Sequence, residues 1–141
     1  MAQMAKLKLP VPPGFTITTH VCQKYLKRNG FQENFYTLLK QEIHFVESIL
    51  KKSFGSKTNP LLFSVRSGAK ISMPGMMETV LNIGLTTKTI PGLIEKTKNE
   101  RFVYDSYRRL IVMYADVVLE KADNRTPRSG VGIRLMMEKV L

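Results

Sequence analysis

The longest periodic stretch of the chain lies between Phe35 and Leu50. Phe35, Leu38, Leu39, Val46, Ile49 and Leu50 recur at steps of three, four and seven, with Ile43 between them. That spacing lines one side of an α-helix. Lys40, Glu42, Glu47, Lys51 and Lys52 fill the remainder, and the helix is expected to end near Phe54-Gly55. Val21, Cys22, Tyr25 and Leu26 predict a shorter helix before it, capped by Thr18 or Thr19 and stopped at Asn29-Gly30. A third stretch, with Val103, Leu110, Ile111, Tyr114, Val117 and Val118 as its stripe, predicts a helix from about Glu100 to Leu119 with Asn99 as its cap. Thr86 or Thr87 caps a further helix reaching about Thr97. Pro91 falls in or just past its first turn, where proline is tolerated.

Strand signals are fewer. Asn59-Pro60 marks a turn, and the apolar run Leu61 to Val65 after it fits a short buried strand. Pro10, Pro12, Pro13 and Gly14 forbid a helix and hold an extended approach to Phe15–Thr18, a second candidate strand. Met76 to Leu81 is expected to form a short helix closed by Gly84. Glu120 to Gly132 is polar and interrupted by Pro127, Gly130 and Gly132, which predicts a linker or an exposed loop. Ile133 to Leu141 begins another helix. The pattern as a whole is α+β, with few short strands and a mostly helical second half.

Composition narrows the class. A chain of 141 residues with 43% hydrophobic content is enough for one folded domain. No apolar run approaches the roughly 18 residues of a membrane span, and Met1 to Leu9 lacks the apolar segment of a secretory signal. Cys22 is the single cysteine, so an internal disulfide is excluded and a cytoplasmic location is the expectation. The formal net charge is +11. Such a charge attracts nucleic acid, acidic membranes or phosphorylated small molecules. Yet no basic run of five or more occurs, which disfavours a nucleic-acid tail. His20 and His44 have no cysteine or carboxylate at metal spacing, and no metal site is expected from them.

One short segment carries chemistry. Ser64-Val65-Arg66-Ser67-Gly68-Ala69 takes a candidate strand into a loop of small residues. An arginine at a sheet rim can give two parallel hydrogen bonds to a phosphate. Glycine and small neighbours let a ligand reach the backbone N–H groups. Ser72-Met73-Pro74-Gly75-Met76 forms a second loop leading into the expected helix, and helix N-termini favour anions. The segment is neither a P-loop nor a GxGxxG motif. On these residues alone a phosphate cradle competes with an ordinary surface turn holding a salt-bridged arginine.

The wider sequence shifts that balance. Asn59 to Leu85, NPLLFSVRSGAKISMPGMMETVLNIGL, resembles the signature of the pyruvate, phosphate dikinase family. Leu9 to Thr18, LPVPPGFTIT, and Asn99 to Val118, NERFVYDSYRRLIVMYADVV, resemble two further segments of the same family in the same order. The resemblance extends over roughly Ala2 to Leu119. It implies a partial ATP-grasp-like lobe over residues 1–85 and a helical part over 86–119; beyond Leu119 the resemblance fades, and 120–141 is a linker and the start of a helix by its own residues. The resemblance also implies ancestry in an enzyme that uses ATP and magnesium. In that family ATP donates its β-phosphate to a histidine, inorganic phosphate takes the γ-phosphate, and pyruvate becomes phosphoenolpyruvate.

By the same resemblance Arg66, Ser67, Gly68, Gly75 and Met76 are the nucleotide-binding residues, and Ser72 to Met77 form the loop over the phosphates. The departures are as informative. The family's glycine-rich segment with an ATP-contacting lysine has no match here, and Ala2-Gln3-Met4 matches the residues after it. The acidic magnesium ligands, the phosphohistidine domain and the pyruvate barrel also have no match. Glu78 stands where the family has aspartate. Neither His20 nor His44 occupies the context of a transfer histidine. The expectation is an ATP-binding fragment with no catalytic residue of its own, inactive alone, with other chains as candidate partners for the missing domains. A non-catalytic basic module for nucleotide or nucleic acid is the alternative.

Overall fold

The computed structural model describes residue 4, residues 6–68 and residues 79–119. The chain divides into two compact units, Met1–Ser53 and Phe54–Leu141.

Helices α1 (Thr19–Arg28) and α2 (Phe35–Leu50) lie in the first unit. Thr18 is extended in the N-cap position of α1, and its carbonyl accepts from the Val21 N–H at 3.0 Å, but its hydroxyl makes no capping bond. Asn29 takes the left-handed conformation (φ 54°) and its N–H bonds back to the Tyr25 carbonyl. Asparagine tolerates that conformation, so α1 stops where Asn29-Gly30 predicted. Lys27 and Arg28 lie in the last turn, where the helix dipole favours cations. Phe31 in the connection stacks on Phe35 with centroids 4.1 Å apart, and Tyr25 and Tyr36 pack around this pair. Val46 of α2 is buried.

Two expectations fail in this unit. Residues Phe15–Thr18 form no strand; no ladder partner for them exists among the described residues, and an unpaired segment is not a sheet. The helix α2 ends at Leu50, several residues before Phe54-Gly55. Lys51 adopts φ 53°, and Ser53–Phe54 instead extends as strand β1.

The second unit is built on two small sheets. Strand β1 pairs with β2 (Pro60–Leu61), and β3 (Phe63–Arg66) pairs with β4 (Thr79–Ile83). Pro60-Leu61 is the buried pair, whereas Ser64, Val65 and Arg66 are exposed. The buried strand expected over Leu61–Val65 is therefore two strands, and only the first is covered on both sides. The ladder β3–β4 is antiparallel, with Phe63 opposite Ile83, Val65 opposite Val80 and Arg66 opposite Thr79. This register leaves Leu81 and Asn82 facing Ser64, a bulge that Asn82 accommodates at φ 60°. Residues 79–81, expected in a helix, are thus strand. A β-branched threonine and valine with a cross-strand partner favour the pleat. Residues 76–78 of that expected helix lie outside the described residues, as do the expected linker and helix over 120–141.

Two helices follow, α3 (Ile90–Thr97) and α4 (Glu100–Tyr114). Asn99 caps α4, its side-chain oxygen accepting from the Phe102 N–H at 3.0 Å. The helix expected to run to Leu119 changes at Ala115, where the backbone widens into a π-helical turn through Leu119. The core of this unit is Leu85, Ile90 and Val103, with Leu62, Leu93, Ile94, Tyr107 and Leu110 packed on it. Helix α4 packs on both β4 and α3.

The turn before α3 is held by one side chain. Thr89 is buried, its hydroxyl accepts from the Thr86 N–H at 2.9 Å, and it lies 3.1 Å from the Gly84 carbonyl as donor. Thr89, not Thr86 or Thr87, occupies the N-cap position, although the Ile90 N–H still reaches the Thr86 carbonyl at 3.0 Å. Glycine is required at Gly84, whose φ is +106°; a Cβ there would meet the Leu61 carbonyl oxygen at 2.9 Å. The fold is compatible with the α+β expectation.

Candidate functional site at the end of strand β3

Arg66 is the last residue of β3, and Thr79 opposite it is the first of β4. Strand pairing fixes the Arg66 backbone, and its side chain is exposed at the rim of the hairpin. Ser67 and Gly68 follow, also exposed, so the chain leaves the sheet through small residues as expected. Ion pairs among the described residues include His44 with Glu47 and Asp105 with Arg108 and Arg109. Arg66 is in none of these pairs. A guanidinium carries five N–H donors and can bind a bidentate acceptor such as phosphate.

Of the five expected nucleotide contacts, Arg66, Ser67 and Gly68 are thus consecutive at one sheet rim. Gly75 and Met76, with the rest of the Ser72–Met77 loop, lie outside the described residues. His44 pairs with Glu47 at 3.2 Å on an exposed helix face, the ordinary surface role expected of it. Among the described residues no three His, Cys, Asp or Glu side chains cluster to hold a cation. These residues therefore do not fit a protein-ligated magnesium site. No described helix is long and apolar enough to cross a membrane.

Sequence patterning missed one concavity. Ile83, Gly84, Leu110, Ile111, Tyr114, Ala115 and Leu119 line an open apolar groove of about 340 Å³. Ile83 is at the opposite end of β4 from Thr79, so the groove and Arg66 occupy opposite ends of the hairpin. Its signal lay in the α4 stripe. Ile111 and Tyr114 share the apolar stripe yet remain exposed, because α3 and β4 do not cover that end of the helix.

Comparison with known proteins bears on ancestry. No family model matches the chain. Three curated relatives are 48–49% identical to it over 84–85% of its length. They come from Rickettsia conorii, Giardia intestinalis and Clostridium symbiosum. The chain spans 14% of the length of each. Identity at that level over 119 to 122 residues is common descent, and the relatives are phosphotransferases of the kinase type. All three are pyruvate, phosphate dikinases, and the chain is homologous to a fragment of that protein.

Proposed function

We propose that this chain is a nucleotide-contacting piece of a dikinase-type phosphotransferase, in which Arg66 binds the phosphates of ATP. The observation that carries the reading is Arg66 itself. It is anchored by the β3–β4 ladder, exposed, in none of the ion pairs named above, and followed by Ser67-Gly68. The relationship to the dikinases supplies the ligand class.

The chemistry follows from the side chains. Phosphoryl transfer depends mainly on positioning and on neutralising charge at the transferring group. A guanidinium on a fixed strand end does both without a proton changing hands. Exposed Ser67 and Gly68 leave room for phosphate oxygens beside the backbone. Gly75 and Met76 belong to the proposed loop over the phosphates. Magnesium is proposed to enter with the nucleotide, as the counter-ion of its phosphates.

In the parent reaction ATP, pyruvate and phosphate become AMP, phosphoenolpyruvate and diphosphate. That reaction needs a transfer histidine and a pyruvate site. His20 and His44 are both exposed on helices and remote in sequence from β3. The chain by itself is accordingly proposed to bind ATP and not to turn it over. Residues 1–85 would form part of an ATP-grasp-like lobe in the cytoplasm, and other polypeptide would complete the enzyme.

Isothermal titration with ATP and magnesium tests this reading. Binding is expected in the wild-type chain, and Arg66→Ala is expected to weaken it by about 1.5–3 kcal/mol, the worth of a hydrogen bond to a charged group. No heat at millimolar nucleotide, or equal affinity in the variant, refutes the assignment.

A further inference from the structure

Helix α1 gathers cations and aromatic rings on one side. Val21, Lys24, Tyr25 and Arg28 stand at steps of three, four and seven, which place them on one helix face. Val21, Lys24 and Tyr25 of that face line a shallow cleft with Phe31, Gln32 and Asn34 of the connection to α2. Phe31 links the rings: its centroid is 4.6 Å from that of Tyr25, 4.1 Å from that of Phe35 and 5.8 Å from that of Tyr36. The cluster stays open to water, with Tyr25, Phe31 and Tyr36 38%, 45% and 59% exposed. The cleft holds about 60 Å³. Small-molecule pockets run from about 300 Å³ upward, so this is an edge for an extended partner and not a pocket for a compact one.

Charge gives the sign of that partner. Helix α1 carries Lys24, Lys27 and Arg28 and contains no Asp or Glu. The helix dipole favours Lys27 and Arg28 in the last turn. It gives no reason for half-buried Lys24, which lies four residues before Arg28 and repels it. Glu33 is the carboxylate of the connection over residues 29–34, and one carboxylate does not balance three cations. A bare polyanion would satisfy the cations and leave the rings wet. An apolar partner would cover the rings and leave the cations opposed. A strand that alternates phosphates with flat bases meets both, because bases stack on aromatic rings while Lys and Arg follow the backbone. The Gln32 and Asn34 amides add the donors and acceptors that base edges pair with.

We propose that this face of α1, with Phe31 and Tyr36, is a docking surface for single-stranded nucleic acid. Unpaired bases lie against the rings, and the phosphates between them meet Lys24 and Arg28. The surface lies in the first unit and Arg66 in the second, so this proposal and ATP binding at Arg66 can fail separately.

Fluorescence anisotropy of the full chain with short labelled oligouridylate and oligothymidylate at low salt tests it, and binding of either strand at the aromatic face supports it. An abasic strand and a duplex of the same length are each expected to bind about tenfold more weakly, since each lacks bases free to stack. Tyr25→Leu keeps an apolar side chain in the cluster and is expected to lose about tenfold in affinity. Lys24→Gln should weaken binding and lower the salt dependence by about one phosphate contact. Lys88→Gln removes the same charge from an exposed position in the second unit and should change neither. Circular dichroism checks that each variant is folded; if Tyr25→Leu is not, the abasic strand and the two lysine variants decide. No binding at low salt overturns the proposal, as does equal affinity for the abasic strand or an equal loss in Lys24→Gln and Lys88→Gln. Binding to phosphatidylserine vesicles that Tyr25→Leu abolishes, with no preference for base-bearing strands, would assign the surface to an anionic membrane and also overturn it.

Discussion

At the residue scale the second unit depends on close backbone approaches that no periodicity reveals. Gly92 lies inside α3, where an alanine would ordinarily favour the helix by about 1 kcal/mol. Here a Cβ would stand 2.0 Å from the Lys57 carbonyl oxygen and 2.9 Å from the Thr58 Cα. Both contacts are backbone, so neither can swing aside as a flexible side chain would. Steric cost therefore outweighs propensity, and Gly92→Ala should destabilise the chain by about 1–3 kcal/mol, the usual range for overpacking. Urea unfolding of the two proteins measures it, and a variant as stable as wild type would show that α3 does not sit this close. The Lys96 ammonium on the Asn59 side-chain oxygen ties the same two segments at the surface. The position of Arg66 at a strand end, by contrast, was legible from sequence, because the apolar run Leu61 to Val65 stops just before it. The contact between Gly92 and Lys57 joins positions 35 apart, and sequence spacing carries no trace of it.

At the element scale the helices were legible and the strands were not. Helix α1 begins and ends near its predicted bounds, α3 ends and α4 begins where predicted, because caps and periodicity are local signals. Asn99 and Asn29 are plain in the sequence and act where expected. The strands are two to five residues long and depend on partners. Residues 79–81 read as helix until Thr79 and Val80 meet Arg66 and Val65 across the ladder. Helix α4 also carries a local charge motif. Asp105 accepts from Arg108 at 2.9 Å and pairs with Arg109 at 2.7 Å, one turn further along. The hydrogen bond from Arg108 comes first, with the charges of both arginines, in holding the Asp105 carboxyl below its usual value. A carboxyl whose value is lowered by folding stabilises the folded state above the ordinary carboxylate range. That contribution is lost as pH falls through the lowered value. Asp105→Asn should thus weaken the helical signal at neutral pH while making it less sensitive to acid. Circular dichroism between neutral and strongly acidic pH compares the two proteins. Coincident acid transitions would mean that the pair is screened by solvent and contributes nothing, a common outcome for exposed pairs.

At the scale of the whole molecule the balance of buried to exposed apolar side chains sets the behaviour of the isolated chain. Among the described residues seven hydrophobic side chains are buried, and twenty-one large ones are exposed. The exposed set includes Phe31, Tyr36, Phe45, Phe102 and Tyr114, each of which would bury far more area than an alanine or valine. Hydrophobic stabilisation is proportional to the area removed from water, at about 25 cal/mol per Å². Among the described residues the core led by Leu85, Ile90 and Val103 is small. The dependence of unfolding free energy on denaturant scales with the area newly exposed. The isolated chain should accordingly unfold with a urea m-value well below that of a fully packed protein of equal length. It should also bind the apolar dye anilinonaphthalene sulfonate before any denaturant is added. Full-length Clostridium symbiosum dikinase, in which the homologous surfaces have the rest of the polypeptide to pack on, should bind less dye per residue. A sharp transition of ordinary m-value with no dye binding would show that the chain covers its own apolar surface.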